Sequence, residues 1–210
     1  MESLKAVYGD SMAFVIYYSG EAHPELSSPA GKARNEWYGV GVEAPLAFFN
    51  GTLRSPHIMI PDSFYPVYRD MIDAARSRKT CLEMALDSSS TTIDSATLRL
   101  LVRLTPTDSL IDTITSLRLV AIVFEDSIPY YSSFVGDTTY APMAVRKVIG
   151  DSFGIPVTLK FGRDFDTLLT TGVSGYNVNR LGVAVSVQDF VTKEVWQSVV
   201  KWRIKREEAR

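Results

Sequence analysis

From about residue 79 onward, apolar and polar residues alternate with a period of two, and this pattern constrains the fold more than any other feature. In the segment 97–105, four aliphatic residues share one parity: Leu98, Leu100, Val102 and Leu104. Arg99 and Arg103 have the other parity. Because successive side chains of a strand point to opposite faces, this segment predicts a strand with one buried and one wet face.

Further strands follow along the chain. The segment SLRLVAIVFE (116–125) is apolar on both faces, which predicts a central strand. Four more predicted strands are PVTLKF (156–161), FDTLLTT (165–171), LGVAVSVQDF (181–190) and EVWQSVVKWRI (194–204). About seven strands separated by turn residues favour a two-sheet sandwich of immunoglobulin type.

Before residue 79 the pattern changes to alternating helices and strands. The predicted elements are a helix at 2–9 with Leu4 and Val7 on one face, a fully buried strand at 11–18, a helix capped by Ser28 and Pro29, an Asn50-Gly51 hairpin turn, and a helix within 61–79. This order is typical of an α/β unit.

Two stretches carry resemblances to known families. Residues 8–51, from YGDSMAFVIYY to LAFFNG, resemble the middle of a thioredoxin-like domain: strand, helix, cis-proline loop and hairpin. The segments MAVRKVIGDSFGIPVTLKFG (143–162) and LGVAVSVQDFVTKEVWQS (181–198) resemble the C-terminal sandwich of the outer-membrane-protein-28-related family of Gram-negative bacteria.

Together, the patterns and resemblances predict an α+β chain of two domains. An incomplete thioredoxin-like α/β unit would span residues 1–78, and an all-β immunoglobulin-like sandwich would span 79–205. Residues 206–210 would form a charged tail.

The thioredoxin-like resemblance implies a peptide-binding site without redox chemistry. Pro45 matches the cis-proline of that fold, so Glu43, Ala44 and Pro45 are candidates for binding an extended peptide by strand addition. Alternatively, Pro45 only starts an edge strand. The CxxC segment of the family would precede residue 1, and the single cysteine, Cys81, excludes an internal disulfide and a zinc site of several thiolates. Cys81 is interpreted as a structural strand thiol.

Two other groups of residues are candidate sites. Tyr130, Tyr131 and Phe134, in the predicted loop IPYYSSF (128–134), form either an exposed contact patch or a buried plug at the end of the sandwich. Asp164 and Asp166 share one face of a predicted strand, where they either hold a hard cation such as calcium or serve as solvated edge charges.

Charge and hydropathy exclude several partners. The formal net charge is −2, which gives no electrostatic reason to expect nucleic acid or anionic lipid. The longest apolar runs, such as LVAIVF (119–124), are far below the roughly 18 residues of a membrane span. The first ten residues lack the plan of a signal peptide.

These observations favour a non-catalytic binding or structural module of an exported bacterial envelope protein, acting on a protein or peptide partner without a cofactor. The resemblance implies a location in the periplasm, in the outer membrane or outside the cell. One alternative is a thiol-disulfide oxidoreductase whose CxxC segment is missing from this chain, and another is a carbohydrate- or calcium-binding sandwich. An uncovered sheet edge in the incomplete α/β unit would favour a homodimer.

Overall fold

The structure, a computed structural model, describes residues 2–9, 12–18, 23–40, 46–56, 64–87, 89–133, 135–202 and 204–206. The helices are α1 (Glu2–Tyr8), α2 (Pro29–Tyr38) and α3 (Phe64–Arg76). The strands are β1 (Phe48–Phe49), β2 (Leu53–Arg54), β3 (Leu82–Leu86), β4 (Thr92–Ile93), β5 (Thr97–Pro106), β6 (Leu117–Glu125), β7 (Ile128–Ser132), β8 (Asp137–Ala141), β9 (Ala144–Val148), β10 (Ile155–Pro156), β11 (Phe165–Gly172), β12 (Leu181–Asp189), β13 (Val195–Lys201) and β14 (Lys205–Arg206). The described residues are mainly β with a few helices, in agreement with the predicted α+β class.

Most strands belong to two sheets. In the first, called sheet 1, β6 pairs with β12 on one side and with both β9 and β10 on the other, and β12 pairs with β13. In the second, called sheet 2, β5 pairs with β11 on one side and with β3 and β4 on the other, and β14 lies parallel to β4. Arg206, predicted to begin a charged tail, is therefore the second residue of β14.

The core lies between these two sheets. The aliphatic residues predicted to share one face of β5 are all fully buried and pack against alternate residues of β6 and β12. Those residues are Leu119, Ala121, Val123, Val183, Val185 and Val187. The alternation therefore predicted correctly which face of β5 is buried, and β6 is central as predicted.

The other face of sheet 1 is buried as well. Its residues Val120, Ile122 and Phe124 form a second apolar cluster with side chains of the extended segment 12–18 and of α2. The same cluster includes Met143, Val145, Val148, Ala184 and Val200. The N-terminal elements thus form a third layer, which explains why β6 is apolar on both faces.

Segment 12–18 corrects one prediction. It is extended, but it does not form a regular strand. Among the described residues it meets the edge of sheet 1 at one parallel bridge, between Ile16 and Ala144. Ile16 donates its N–H to the carbonyl of Met143 at 3.0 Å, and its own carbonyl accepts from Val145 at 3.0 Å. Residues 12–18 are also only half-buried, so the prediction of a strand buried on both faces was wrong.

The helices agree with the predictions except at the face of α1. Ser28 caps α2 by accepting a hydrogen bond from the N–H of Gly31 at 3.1 Å. On α3 the sequence predicts one apolar face of Tyr68, Met71, Ile72 and Ala75, of which Met71 is only half-buried and the other three are buried. On α1 the buried pair is Leu4 and Tyr8, with spacing i and i+4, whereas Val7 is exposed.

Candidate protein-contact surface

Strands β7 and β8 form a hairpin that leaves sheet 1 after β6 and returns to it at β9. Five antiparallel pairs join the two strands, from Ile128 opposite Ala141 to Ser132 opposite Asp137. The turn closes with the N–H of Gly136 donating to the carbonyl of Ser132 at 2.8 Å. This two-stranded sheet is separate from sheets 1 and 2.

The two faces of the hairpin differ in burial. Ile128, Tyr130 and Ala141 face inward and pack with the fully buried Leu26. On the opposite face, Tyr131 and Tyr140 are exposed by 63% and 62%. Pro129 lies opposite Tyr140 and Thr138 lies opposite Tyr131, so both share this outward face. The exposed Val135 lies in the turn. We call Pro129, Tyr131, Thr138 and Tyr140 the hairpin face.

The predicted contact patch is therefore corrected in part. Residues 128–132 form a strand and not a loop, so Tyr130 and Tyr131 point to opposite faces. Tyr130 supports the hairpin from beneath, with its ring edge-on to His23 at 4.6 Å between centroids. Phe134 lies outside the described residues. Tyr140 was missed, although the pairing of two short segments with β propensity was a signal for it.

The inward side of the hairpin is supported by a neutral tyrosine. Tyr18 packs in the same cluster as Tyr130. Burial, followed by the proximity of Tyr130 and Asp126, raises the pKa of Tyr18 to about 12. This hydroxyl is therefore protonated at neutral pH.

The base of the hairpin is fixed by a nearly buried ion pair. Arg146 on β9 donates from Nε to the Oε2 atom of Glu125 on β6 at 2.8 Å. It also donates from Nη1 to the carbonyl of Glu25 at 2.6 Å. On the other side, Arg180 donates to the carbonyl of Ser127 at 2.7 Å. These hydrogen bonds hold both ends of the hairpin in place, and the hairpin face therefore projects from a fixed base.

A second feature, the turn between β12 and β13, joins the N-terminal layer to sheet 1. Lys193 donates from Nζ to the carbonyl of Trp37 at 2.6 Å, and Phe190 stacks on the Trp37 ring at 5.5 Å. The N–H of Val195 donates to the carbonyl of Asn50 at 2.9 Å. This turn lies within segment 181–198, one of the two segments that resemble the outer-membrane-protein-28-related family. The N-terminal elements pack against it.

Arg34 on α2 reaches the same turn from a buried position. Its side chain donates from Nη2 to the Oε1 atom of Gln188 at 2.6 Å, while Nε and Nη1 have no hydrogen-bond partner among the described residues. The guanidinium carbon lies 5.3 Å from the Trp37 ring centroid and 5.7 Å from those of Tyr17 and Tyr38. Aromatic faces therefore stabilise this cation in place of a carboxylate.

The remaining candidate residues take no part in a shared site within the described chain. Glu43, Ala44 and Pro45 lie outside the described residues, so the peptide site there stays a prediction. Asp166 accepts from Nε and Nη2 of Arg103 at 2.9 Å each, and this contact lowers the pKa of Asp166. Asp164 is exposed. Across the described ranges, no three His, Cys, Asp or Glu side chains are grouped to hold a metal.

Cys81 lies in the sandwich core immediately before β3. Its side chain is 2% exposed, and burial raises the pKa of its thiol. A thiol of this kind is a weak nucleophile at neutral pH, which agrees with a structural role. Among the described helices, none has the length and apolar character needed to cross a membrane.

Comparison with solved structures shows similar folds at low sequence identity. HBP35 of Porphyromonas gingivalis matches with a TM-score of 0.65 and 11% identity, over 87% of this chain and 61% of that chain. A domain of the outer membrane lipoprotein Omp28 from Porphyromonas gingivalis matches with a TM-score of 0.42 and 15% identity, over 63% of this chain and 99% of that domain. A β-glucosidase from Kluyveromyces marxianus in complex with glucose has a TM-score of 0.31 at 11% identity, over 60% of this chain and 14% of that chain.

The likeness to HBP35 extends beyond the sandwich. Residues 79–210 make up less than two thirds of this chain, so a match over 87% of it includes part of the N-terminal elements. The chain spans about 61% of the length of HBP35. No protein-family model and no curated protein matches the sequence.

Proposed function

We propose that this chain is a non-catalytic module of an exported bacterial envelope protein, and that it binds another protein through the hairpin face. The observation that carries the proposal is the pair Tyr131 and Tyr140, each more than half exposed on a hairpin whose other face is held by the core. Tyrosine is enriched among the residues that dominate binding energy, because it offers a large contact area with few rotatable bonds.

The proposed envelope location rests on the sequence resemblance of residues 143–162 and 181–198 to the outer-membrane-protein-28-related family. The proposal includes the predicted organisation, with a partial thioredoxin-like unit at 1–78 and an immunoglobulin-like sandwich at 79–205. The sheet orders β3–β5–β11 and β10–β6–β12–β13 are consistent with such a sandwich.

Two features bear on the alternative functions. Cys81 is buried in the core, so its thiol does not replace the CxxC pair that a thiol-disulfide oxidoreductase would need. The bidentate contact between Arg103 and Asp166 occupies the carboxylate that a calcium site would need. Neither feature involves the hairpin face.

The test is site-specific photo-crosslinking of the full chain in its native host. A benzophenone side chain is placed at Tyr131 or Tyr140, and the matched control carries it at Glu83, an exposed residue on the outer face of sheet 2. We expect the same discrete adduct from positions 131 and 140 and no such adduct from position 83.

The adduct is then reconstituted from the purified chain and the identified protein. Replacing both tyrosines with serine should weaken the complex by about 100-fold, because truncation of each aromatic anchor costs about 1–2 kcal/mol. An affinity unchanged by the double substitution would show that the hairpin face is not the contact surface.

A further inference from the structure

Strand β11 forms the outer edge of sheet 2 and pairs there with β5 alone among the described strands. Its eight residues, from Phe165 to Gly172, are paired with β5 without a shift in register. By contrast, register shifts interrupt the pairing of β12 with β13 and of β6 with β9. The result is a long, regular edge of backbone N–H and carbonyl groups.

Other edges of the two sheets have neighbours. The β9 edge meets Ile16 at the parallel bridge, and β13 donates an N–H from Val195 to the carbonyl of Asn50. Gln197 of β13 also donates from Nε2 to the carbonyl of Leu82, at 3.3 Å. No comparable backbone contact to the outer side of β11 occurs within the described residues.

The edge of β11 also lacks the usual features that prevent strand addition. Natural edge strands are protected by lysine, proline or a bulge, and β11 (FDTLLTTG) has none of these. Its single charge, Asp166, is neutralised by Arg103 on the neighbouring strand. Leu168, at the middle of the outer face, is 60% exposed.

We infer that β11 is a self-association edge, at which a second copy of this chain adds its own β11 in the antiparallel direction. If the pair is centred on Leu168, the two Leu168 side chains face each other and Asp166 of each copy lies opposite Thr170 of the other. A parallel, in-register pair would instead place Asp166 opposite Asp166. The side-chain pattern of β11 therefore fits an antiparallel second copy.

The symmetry of this pairing limits the assembly to two copies. A twofold interface uses the same surface of both chains, so each β11 edge is consumed when the pair forms. Two eight-residue strands bury less than the about 1,200 Å² of a standard interface, and we therefore expect a dimer that dissociates on dilution.

Sedimentation velocity of the full chain, from about 1 µM to about 500 µM, tests the inference. We expect the wild type to shift from monomer to dimer over this range. Leu168→Lys adds a charged edge residue and should weaken association at least about tenfold. The matched control, Glu83→Lys, places a lysine at an exposed position of β3 on the outer face of sheet 2, opposite Thr105, and should dimerise as the wild type does.

A disulfide trap identifies the contact even if Leu168→Lys does not fold. Leu168→Cys should form an intermolecular disulfide on mild oxidation, because directly opposed residues of an antiparallel pair lie within disulfide range. Thr138→Cys on the hairpin face should not. The inference is overturned if the wild type stays monomeric throughout, if Leu168→Lys dimerises with unchanged affinity, or if only Thr138→Cys is trapped. Because the hairpin and β11 belong to different sheets, a monomeric wild type or an unaffected Leu168→Lys leaves the proposed function to its own test, whereas trapping of Thr138→Cys alone would place self-association at the hairpin face.

Discussion

The two sheets differ in how many of their faces are covered. Sheet 1 is buried on both faces, between sheet 2 and the N-terminal layer, whereas sheet 2 has one buried face and one that is open to solvent. Both contain strands of similar length and the same antiparallel pairing. The side chains on the second face of a strand therefore determine whether the sheet accepts a third layer.

The charged residues follow the same division. On sheet 2, Arg103 and Asp166 pair across the open face and both remain exposed. On sheet 1, Arg146 and Glu125 pair near the covered face and are nearly buried. Each pair joins an arginine to a carboxylate on the neighbouring strand, and the two pairs differ in burial, so they provide a comparison of what covering a sheet does.

The largest expected effect comes from removing an aromatic ring on the covered face. Phe124 is fully buried on the face of sheet 1 that the N-terminal layer covers. Phe124→Ala should lower the free energy of unfolding by about 3–5 kcal/mol. Leu101→Ala, on the open face of sheet 2, should cost about 1 kcal/mol or less. Urea denaturation at low protein concentration measures both. Equal losses would mean that the N-terminal layer does not exclude water from sheet 1.

The next largest difference in stability between the covered and the open face is expected from breaking the two ion pairs. Glu125→Gln leaves Arg146 without its charge partner in a nearly buried position, and we expect a loss of about 3 kcal/mol. Asp166→Asn breaks an exposed pair, and its small effect should disappear in 1 M salt. Unfolding curves with and without added salt check this contrast. If added salt abolishes the loss of stability caused by Glu125→Gln, the pair of Arg146 and Glu125 is not shielded from solvent.

Two glycines with matching backbone angles test how closely the N-terminal layer docks. Gly51 and Gly136 have φ of 76° and 75°, but an added Cβ at Gly51 would overlap the carbonyl oxygen of Lys193, whereas none of the described atoms lies within 4 Å at Gly136. We expect Gly136→Ala to cost about 1 kcal/mol from backbone strain alone, and Gly51→Ala to cost about 2–3 kcal/mol. Thermal unfolding of both variants measures the difference, and equal costs would show that the β1–β2 turn is not packed on Lys193.

The smallest expected effect is a pH dependence at the docking turn. Burial raises the pKa of Asp189, but hydrogen bonds from Thr192, Ser116 and Val191 outweigh it and hold the pKa below its usual range. Asp189 therefore stabilises the fold fully above its unfolded pKa of about 3.9, and this contribution is lost as the pH falls through the folded value.

Asp189→Asn keeps an acceptor oxygen while removing the titration. We expect its melting temperature to fall less steeply than that of the wild type when the pH is lowered from about 5 to about 3. Identical slopes for the two proteins would show that another carboxylate causes the acid sensitivity.

The regular part of the fold was predictable from local pattern. The parity of Leu98 and Leu100 assigned the buried face of β5, and Ser28 with Pro29 marked the start of α2. The apolar faces of β6 predicted its central position. In each case the physical cause acts within a few residues, so one segment contains the whole signal.

What could not be predicted depends on contacts between distant residues. Nothing within segment 12–18 indicates that it lies on sheet 1, and the stacking of Trp37 on Phe190 joins residues that are remote in the chain. PVTLKF was predicted as a strand, but β10 ends at Pro156. The sequence left open whether Tyr130 and Tyr131 form an exposed patch or a buried plug, and the hairpin register directs Tyr130 inward and Tyr131 outward.

The β7–β8 hairpin is inserted between two paired strands of sheet 1, β6 and β9. Glu125 at the end of β6 and Ala144 at the start of β9 are paired neighbours, so residues 126–143 leave and re-enter the scaffold at one place. An insertion whose ends are adjacent adds little loop-closure entropy when its length changes. The tip of the β7–β8 hairpin can therefore be lengthened, or replaced by a different recognition loop, without disturbing the register of sheet 1, provided that Ile128 and Ala141 stay in the buried cluster beneath it.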